Sequence, residues 1–168
     1  MRMQLSLVVA AVCLAGATAG SLPARAQSGD KAAIEAKYTK FAEAFANKDV
    51  AGIMTIFAPD VFVFDVIPPR QYVGYDAYKK DWEDVLAGTP GPITAKVSDL
   101  SVTVVGSVAY THYLVEGTMT DKDGKANPLV VRSTDVWRKM NGKWLIVEEH
   151  NSFPVDLTTG QADMLSKP

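Results

Sequence analysis

The sequence predicts one α+β domain in which three N-terminal helices pack on a curved, mainly antiparallel sheet. Two observations lead there. Apolar residues before residue 90 recur at helical spacing, whereas beyond it the period falls to two and hairpin-turn dipeptides divide the chain into four long strands. A third observation sets the class: 168 residues, 48% hydrophobic and 21% charged, have the balance of a single globular domain rather than of a disordered or repetitive chain. With 17 basic against 19 acidic side chains the formal charge is -2, so there is no basic excess to neutralise phosphates and nucleic acid is not an expected partner.

Residues 1–26 read as a signal peptide. Met1-Arg2-Met3 is a short positive start, the stretch 5–19 is apolar or small throughout, and Ala24-Arg25-Ala26 has the small-x-small form of a cleavage site. The alternative is an uncleaved anchor, but the run is short for a membrane span. Cleavage would leave 142 of the 168 residues as one domain, 27–168, and loss of Arg2 and Arg25 would move the charge from -2 to -4. The single cysteine, Cys13, would go with the signal, so an exported chain, periplasmic or secreted, would lack disulfides, a thiolate nucleophile and cysteine-bound metal. No membrane association is expected after cleavage.

Asp30 is a candidate N-cap, and Ile34, Tyr38, Phe41 and Phe45 fall on one face of the helix that follows. Asn47-Lys48-Asp49 interrupts it. Asp49 can cap a short second helix lined by Val50, Ile53, Ile56 and Phe57, which Pro59 is expected to end. A buried strand over 61–66 comes next, and Ile67-Pro68-Pro69 must be loop or edge. Tyr75, Tyr78, Trp82 and Val85 mark a third helix stopped by 88–92. Strands are expected at 95–105, 108–119, 129–138 and 143–152, joined by Gly106-Ser107, Asp123-Gly124 and Asn141-Gly142. The polar tail from Phe153 is expected to be extended or frayed.

Several polar residues could carry chemistry. Asp65 ends a hydrophobic strand and is either a solvated strand-end carboxylate or a cavity group whose pKa is raised by desolvation. Strict alternation places Trp144, Ile146, Glu148, His150 and Ser152 on one face of the last strand and Tyr110, His112, Leu114 and Glu116 on one face of an earlier one. If those faces are concave, His112, His150 and Ser152 line the interior. Two histidines without a third ligand make a poor zinc set, so no metal is expected. No Gly-x-Ser-x-Gly elbow surrounds Ser152, which argues against a hydrolase triad. Arg132 and Asp135 are an odd number of residues apart, so a regular strand cannot aim both inward, and the sequence does not choose between them. Trp82 and Tyr78 fit either a core or an aromatic platform for a ligand.

The order of elements resembles the cone-shaped NTF2-like fold of the ketosteroid isomerases and the SnoaL-like polyketide cyclases. Three stretches carry the resemblance: Lys48-Asp49 through Phe57-Ala58-Pro59-Asp60-Val61-Phe62-Val63-Phe64-Asp65, then Gly74-Tyr75-Asp76-Ala77-Tyr78, and Arg132-Ser133-Thr134-Asp135-Val136-Trp137-Arg138 with Asn141-Gly142-Lys143-Trp144 and Glu149-His150-Asn151-Ser152-Phe153-Pro154. The last is most similar to the SnoaL-like subgroup. The resemblance implies that Asp65 stands where steroid isomerases place a catalytic base, and Asp135 where they place a protonated acid that donates to an oxyanion. Their oxyanion tyrosine would match Phe41, with Tyr38 one turn earlier. Together with the N-terminal signal, the resemblance implies an exported protein binding a small apolar carbonyl compound, with cofactor-independent isomerase or cyclase chemistry in which Asp65 is the base, Asp135 or Tyr38 stabilises an enolate, and His112 and His150 orient the ligand or move protons. The rival reading is a noncatalytic carrier or a dimeric interaction module. A cavity reaching both Asp65 and His150 favours the first, and a cone filled by Phe41, Phe57, Phe62 and Trp82 favours the second. A homodimer through the outer sheet face is compatible with both.

Overall fold

The computed structural model describes residues 24–166. Most of the expected signal peptide therefore lies outside the described residues. The first helix, α1 (Ala24–Ala46), begins six residues before Asp30. Asp30 is accordingly not its cap: the carboxylate lies within the helix and accepts from Lys139 Nζ at 2.6 Å and Trp144 Nε1 at 3.0 Å. The apolar face is as expected, with Ile34, Tyr38, Phe41 and Phe45 all buried.

Asp49 caps α2 (Val50–Met54), its Oδ1 accepting from the Gly52 amide at 2.9 Å. β1 (Phe57–Phe64) starts earlier than expected and contains Pro59. Its parallel pairing with the last strand shifts register between Phe57 and Phe62, so the missing Pro59 N–H interrupts no ladder bond there. A two-residue strand, β2 (Tyr72–Val73), that the sequence did not signal pairs antiparallel with β1. α3 (Tyr75–Ala87) follows. The remaining strands are β3 (Ile93–Val105), β4 (Val108–Thr120), β5 (Ala126–Met140) and β6 (Lys143–Ser152).

The strands form one sheet in the order β2-β1-β6-β5-β4-β3. Its curvature has local causes. β3 shifts register between Ser98 and Ser101, where Asp99 adopts φ 51°. At Gly117 on β4 a Cβ would lie 2.2 Å from the Thr94 carbonyl oxygen, so only glycine permits that approach. β6 also shifts, between the pairs Trp137/Ile146 and Val136/Glu148, leaving Val147 as an extra residue. That shift exchanges the two faces of β6: Trp144 and Ile146 point inward before it, and Glu149 and Asn151 after it.

The core lies between the helices and the inner face of the sheet, where Phe57 meets Tyr78 edge-on and Tyr38 packs against Trp137. Among the described residues no helix is long and apolar enough to cross a membrane. The tail differs from expectation. It turns back along the sheet, with Asp163 N donating to the Pro154 carbonyl and Val130 N donating to the Met164 carbonyl, each at 2.8 Å.

Candidate functional site

Helices and sheet enclose a cavity of about 290 Å³, at the lower end of the volumes that hold small-molecule ligands. Phe41 and Phe45 project into it from α1, and Asp81, Trp82 and Val85 from α3. The sheet contributes Tyr113 and Val115 from β4, Val131 and Ser133 from β5, and Glu149 and Asn151 from β6. Asp65 enters just past the end of β1, continuing the inward alternation of Val61 and Val63. The wall is overwhelmingly apolar. Its ionisable side chains are Asp65, Asp81, Glu149 and Tyr113, and no described lining residue is basic.

Burial without a cation governs these carboxyls. Loss of water pushes Asp65 up to about 6; the Val66 amide, donating to Asp65 Oδ1 at 2.6 Å, opposes the rise, and the negative charge of Asp81 adds to it. Asp81 is itself raised by desolvation, against the pull of Tyr72, whose hydroxyl donates to its Oδ1 at 2.6 Å. Glu149, 3% exposed, is raised well above the usual range by burial and then by Asp135 and Asp65, although the Tyr78 hydroxyl donates to its Oε2. Two of the three lining carboxyls are thus tied to a tyrosine. Asp65 instead meets Asn151, whose Nδ2 lies 3.5 Å from Oδ1 and whose Oδ1 accepts from Ser133 Oγ at 2.6 Å. Ser133 thereby fixes which end of the amide faces Asp65.

Asp135 belongs to a separate layer. Fully buried on β5, it does not border the cavity. The Tyr38 hydroxyl donates to its Oδ2 at 2.5 Å and sits within hydrogen-bond distance of Thr111 Oγ1 at 2.5 Å and Trp137 Nε1 at 3.1 Å. That hydroxyl is saturated and can donate to no ligand, which corrects the enolate-stabilising role expected for Tyr38. Desolvation pushes Asp135 up to about 7, and its Oδ1 has no hydrogen-bond partner. An ionised oxygen so placed would be costly, and a protonated one much less so.

Four expected ligand contacts fall elsewhere. His150 and Ser152 lie on the outer face of β6 because the extra residue at Val147 reverses the alternation. His112 is exposed on the outer face of β4 because Thr111 and Tyr113 are its inward residues. In cross-strand register His112, Thr134 and His150 form one outer row, and the Phe64 ring packs 5.6 Å from the His150 ring. Arg132 is exposed opposite Leu114, so of the pair with odd spacing Asp135 points inward and Arg132 does not. Trp82 does line the cavity. The cavity therefore reaches Asp65 but not His150. Phe41 and Trp82 border the cavity, Phe57 packs on Tyr78, and Phe62 packs on Phe64.

The profile of the SnoaL-like domain matches residues 34–156. The chain belongs to the SnoaL-like domain family. Its α+β fold is the NTF2-like cone. A crystal structure of an NTF2-like protein of unknown function from Pseudomonas putida KT2440 is 28% identical, covers 84% of this chain and 98% of its own, and superposes with a TM-score of 0.77. An NTF2-like superfamily protein from Salmonella enterica serovar Typhimurium LT2 is 20% identical over 81% of this chain and 99% of its own, with a TM-score of 0.70. A ketosteroid isomerase-like protein from Erwinia carotovora atroseptica SCRI1043 is 22% identical over 73% and 95%, with a TM-score of 0.63. A comparison with functionally curated proteins finds no match.

Within this SnoaL-like domain, sequence reasoning missed Asp81 and did not place Glu149 and Asn151 at the cavity. Asp81 was accessible, since Tyr78, Asp81, Trp82 and Val85 share one helical face. Glu149 and Asn151 were not, because their inward aim depends on the shift at Val147.

Proposed function

We propose that this SnoaL-like protein binds a small, uncharged, largely apolar carbonyl compound in its cavity and moves a proton on it, with Asp65 as the base. The observation that carries this reading is the combination of an apolar wall with one inward carboxyl, Asp65, that no tyrosine and no cation holds in place. Asp65 would take the proton from carbon next to the carbonyl and return it to the same or another carbon, so no cofactor is consumed. As the electron pair moves to the carbonyl oxygen, a neutral donor is needed. Glu149 fits that need better than Asp135: it borders the cavity, and burial raises its pKa well above the usual carboxylate range, which favours the neutral form.

Absence of a basic lining residue sets the charge of the ligand. A carboxylate ligand would lose its hydration and meet Asp65 and Asp81 with no counter-ion. The test is a matched pair, 4-methylacetophenone against 4-acetylbenzoate, titrated at pH 8 while following quenching of Trp82, with Trp82→Phe as control. The ketone is expected to bind at least about tenfold tighter, a difference of about 1.4 kcal/mol. Equal affinities would contradict the reading.

The proposal extends to export through the N-terminal signal and to a homodimer. Exposed Val108, Tyr110 and His112 on the outer face of β4 favour a second copy against that face.

A further inference from the structure

The tail closes a gap that the sheet leaves open. β6 ends at Ser152, opposite Arg132, so the part of β5 before Arg132 has no β6 partner. Residues 153–166 turn back across that gap, and there the Val130 amide finds its acceptor in the Met164 carbonyl. Phe153 and Met164 both line the cavity, beside Leu129 and Val131 of β5. Every other wall residue sits on a helix, on a strand or in the 65–67 segment just past β1.

The strap is fastened mostly to itself. Asp156 N donates to the Gln161 carbonyl, Gly160 N to the Asp156 carbonyl and Asp163 N to the Pro154 carbonyl, while Val155 and Ala162 form an isolated bridge. Of its backbone hydrogen bonds among the described residues, one reaches the sheet, that from Val130. Val155, Leu157 and Leu165 are more than half exposed, so little apolar area holds the strap down. Few buried contacts and one anchoring hydrogen bond are the features of a segment that opens well below the cost of global unfolding.

We propose that residues 153–166 are the doorway of the cavity and that Met164 is the specificity-determining residue that limits the length of the ligand. The second half rests on the ligand-binding reading above; the first does not. Opening would require the Val130–Met164 bond to break and the Met164 side chain to leave the wall, while the helices and the rest of the sheet stay in place.

Two measurements on the full chain test this. In hydrogen exchange, the Val130 amide is expected to exchange with the strap, at least tenfold faster than the amides of Ser133 and Asp135; equal protection would overturn the doorway. Next, 4-n-alkylacetophenones from methyl to octyl are titrated against wild type, Met164→Ala and Met164→Trp. Met164→Ala is expected to lengthen the longest tightly bound chain by about three heavy atoms, the number the substitution removes, and Met164→Trp to shorten it. An unchanged cut-off would overturn the role of Met164. Failure of every ketone to bind any of the three proteins would overturn both the carbonyl reading and the role of Met164, while exchange alone would still decide the doorway.

Discussion

Asp65→Asn is expected to slow the exchange of α-hydrogens of a bound ketone, followed with 2-tetralone in deuterated buffer, by about 10²–10⁴-fold, the usual contribution of a general base. The asparagine keeps the shape of the side chain but cannot take a proton. In the wild-type protein the rate should rise with pH through about 6, where Asp65 becomes ionised, and level off above it. Stability should move in the other direction. At pH 8 a desolvated carboxylate with no cation opposes folding, so the variant is expected to melt at the same temperature or higher. Undiminished exchange in Asp65→Asn would remove the base from the account. A large loss of thermal stability would show that Asp65 holds the fold rather than the chemistry.

Asp135→Asn should produce the largest stability change, and its size depends on pH. Burial raises Asp135 in the folded state to about 7, well above its value in an unfolded chain, so the folded protein holds this proton more tightly. The stabilisation from that proton is complete below pH 4 and disappears as pH rises through about 7. Over that interval each pH unit of displacement is worth about 1.4 kcal/mol, so the wild type should lose on the order of 4 kcal/mol between pH 4 and pH 8 from this site. Asparagine offers an oxygen to the Tyr38 hydroxyl and an N–H where Oδ1 now lacks a partner, and it never ionises. The variant should therefore match wild type near pH 4 and exceed it by about 4 kcal/mol at pH 8 in urea unfolding. Parallel stability curves for the two proteins would mean that Asp135 stays ionised and is paid for by contacts other than those described.

What the sequence disclosed follows from the range over which each signal acts. Helical spacing made the buried face of α1 legible, because Ile34, Tyr38, Phe41 and Phe45 need only neighbours within the same helix to define a stripe. The hairpin dipeptides placed β3 to β6 for the same reason. Asp65 was legible as a candidate because it follows two inward valines at a strand end. The inward aim of Asp135 was not, since the sequence could not choose between it and Arg132. His112 was misplaced because alternation does not say which face of β4 is concave, and His150 because a period of two carries no memory of a bulge. One extra residue at Val147 turned His150 and Ser152 outward and brought in Glu149 and Asn151. The strap was equally hidden: nothing local to residues 153–166 says that Val130, more than thirty residues earlier, has a free amide waiting for Met164. Non-local hydrogen bonding is what a one-dimensional reading lacks, and the tyrosine–carboxylate pairs, at separations from 9 to 97 residues, were lost to it as well.

The proposed chemistry requires an inward, dry Asp65, and a pH titration of its side-chain carboxyl carbon by NMR reads that property without knowledge of any substrate. A midpoint near 6 that moves on addition of 4-methylacetophenone is the expected result. A midpoint near 4, unmoved by the ketone, would mean that the carboxylate is solvated like any surface aspartate and that the cavity has no base.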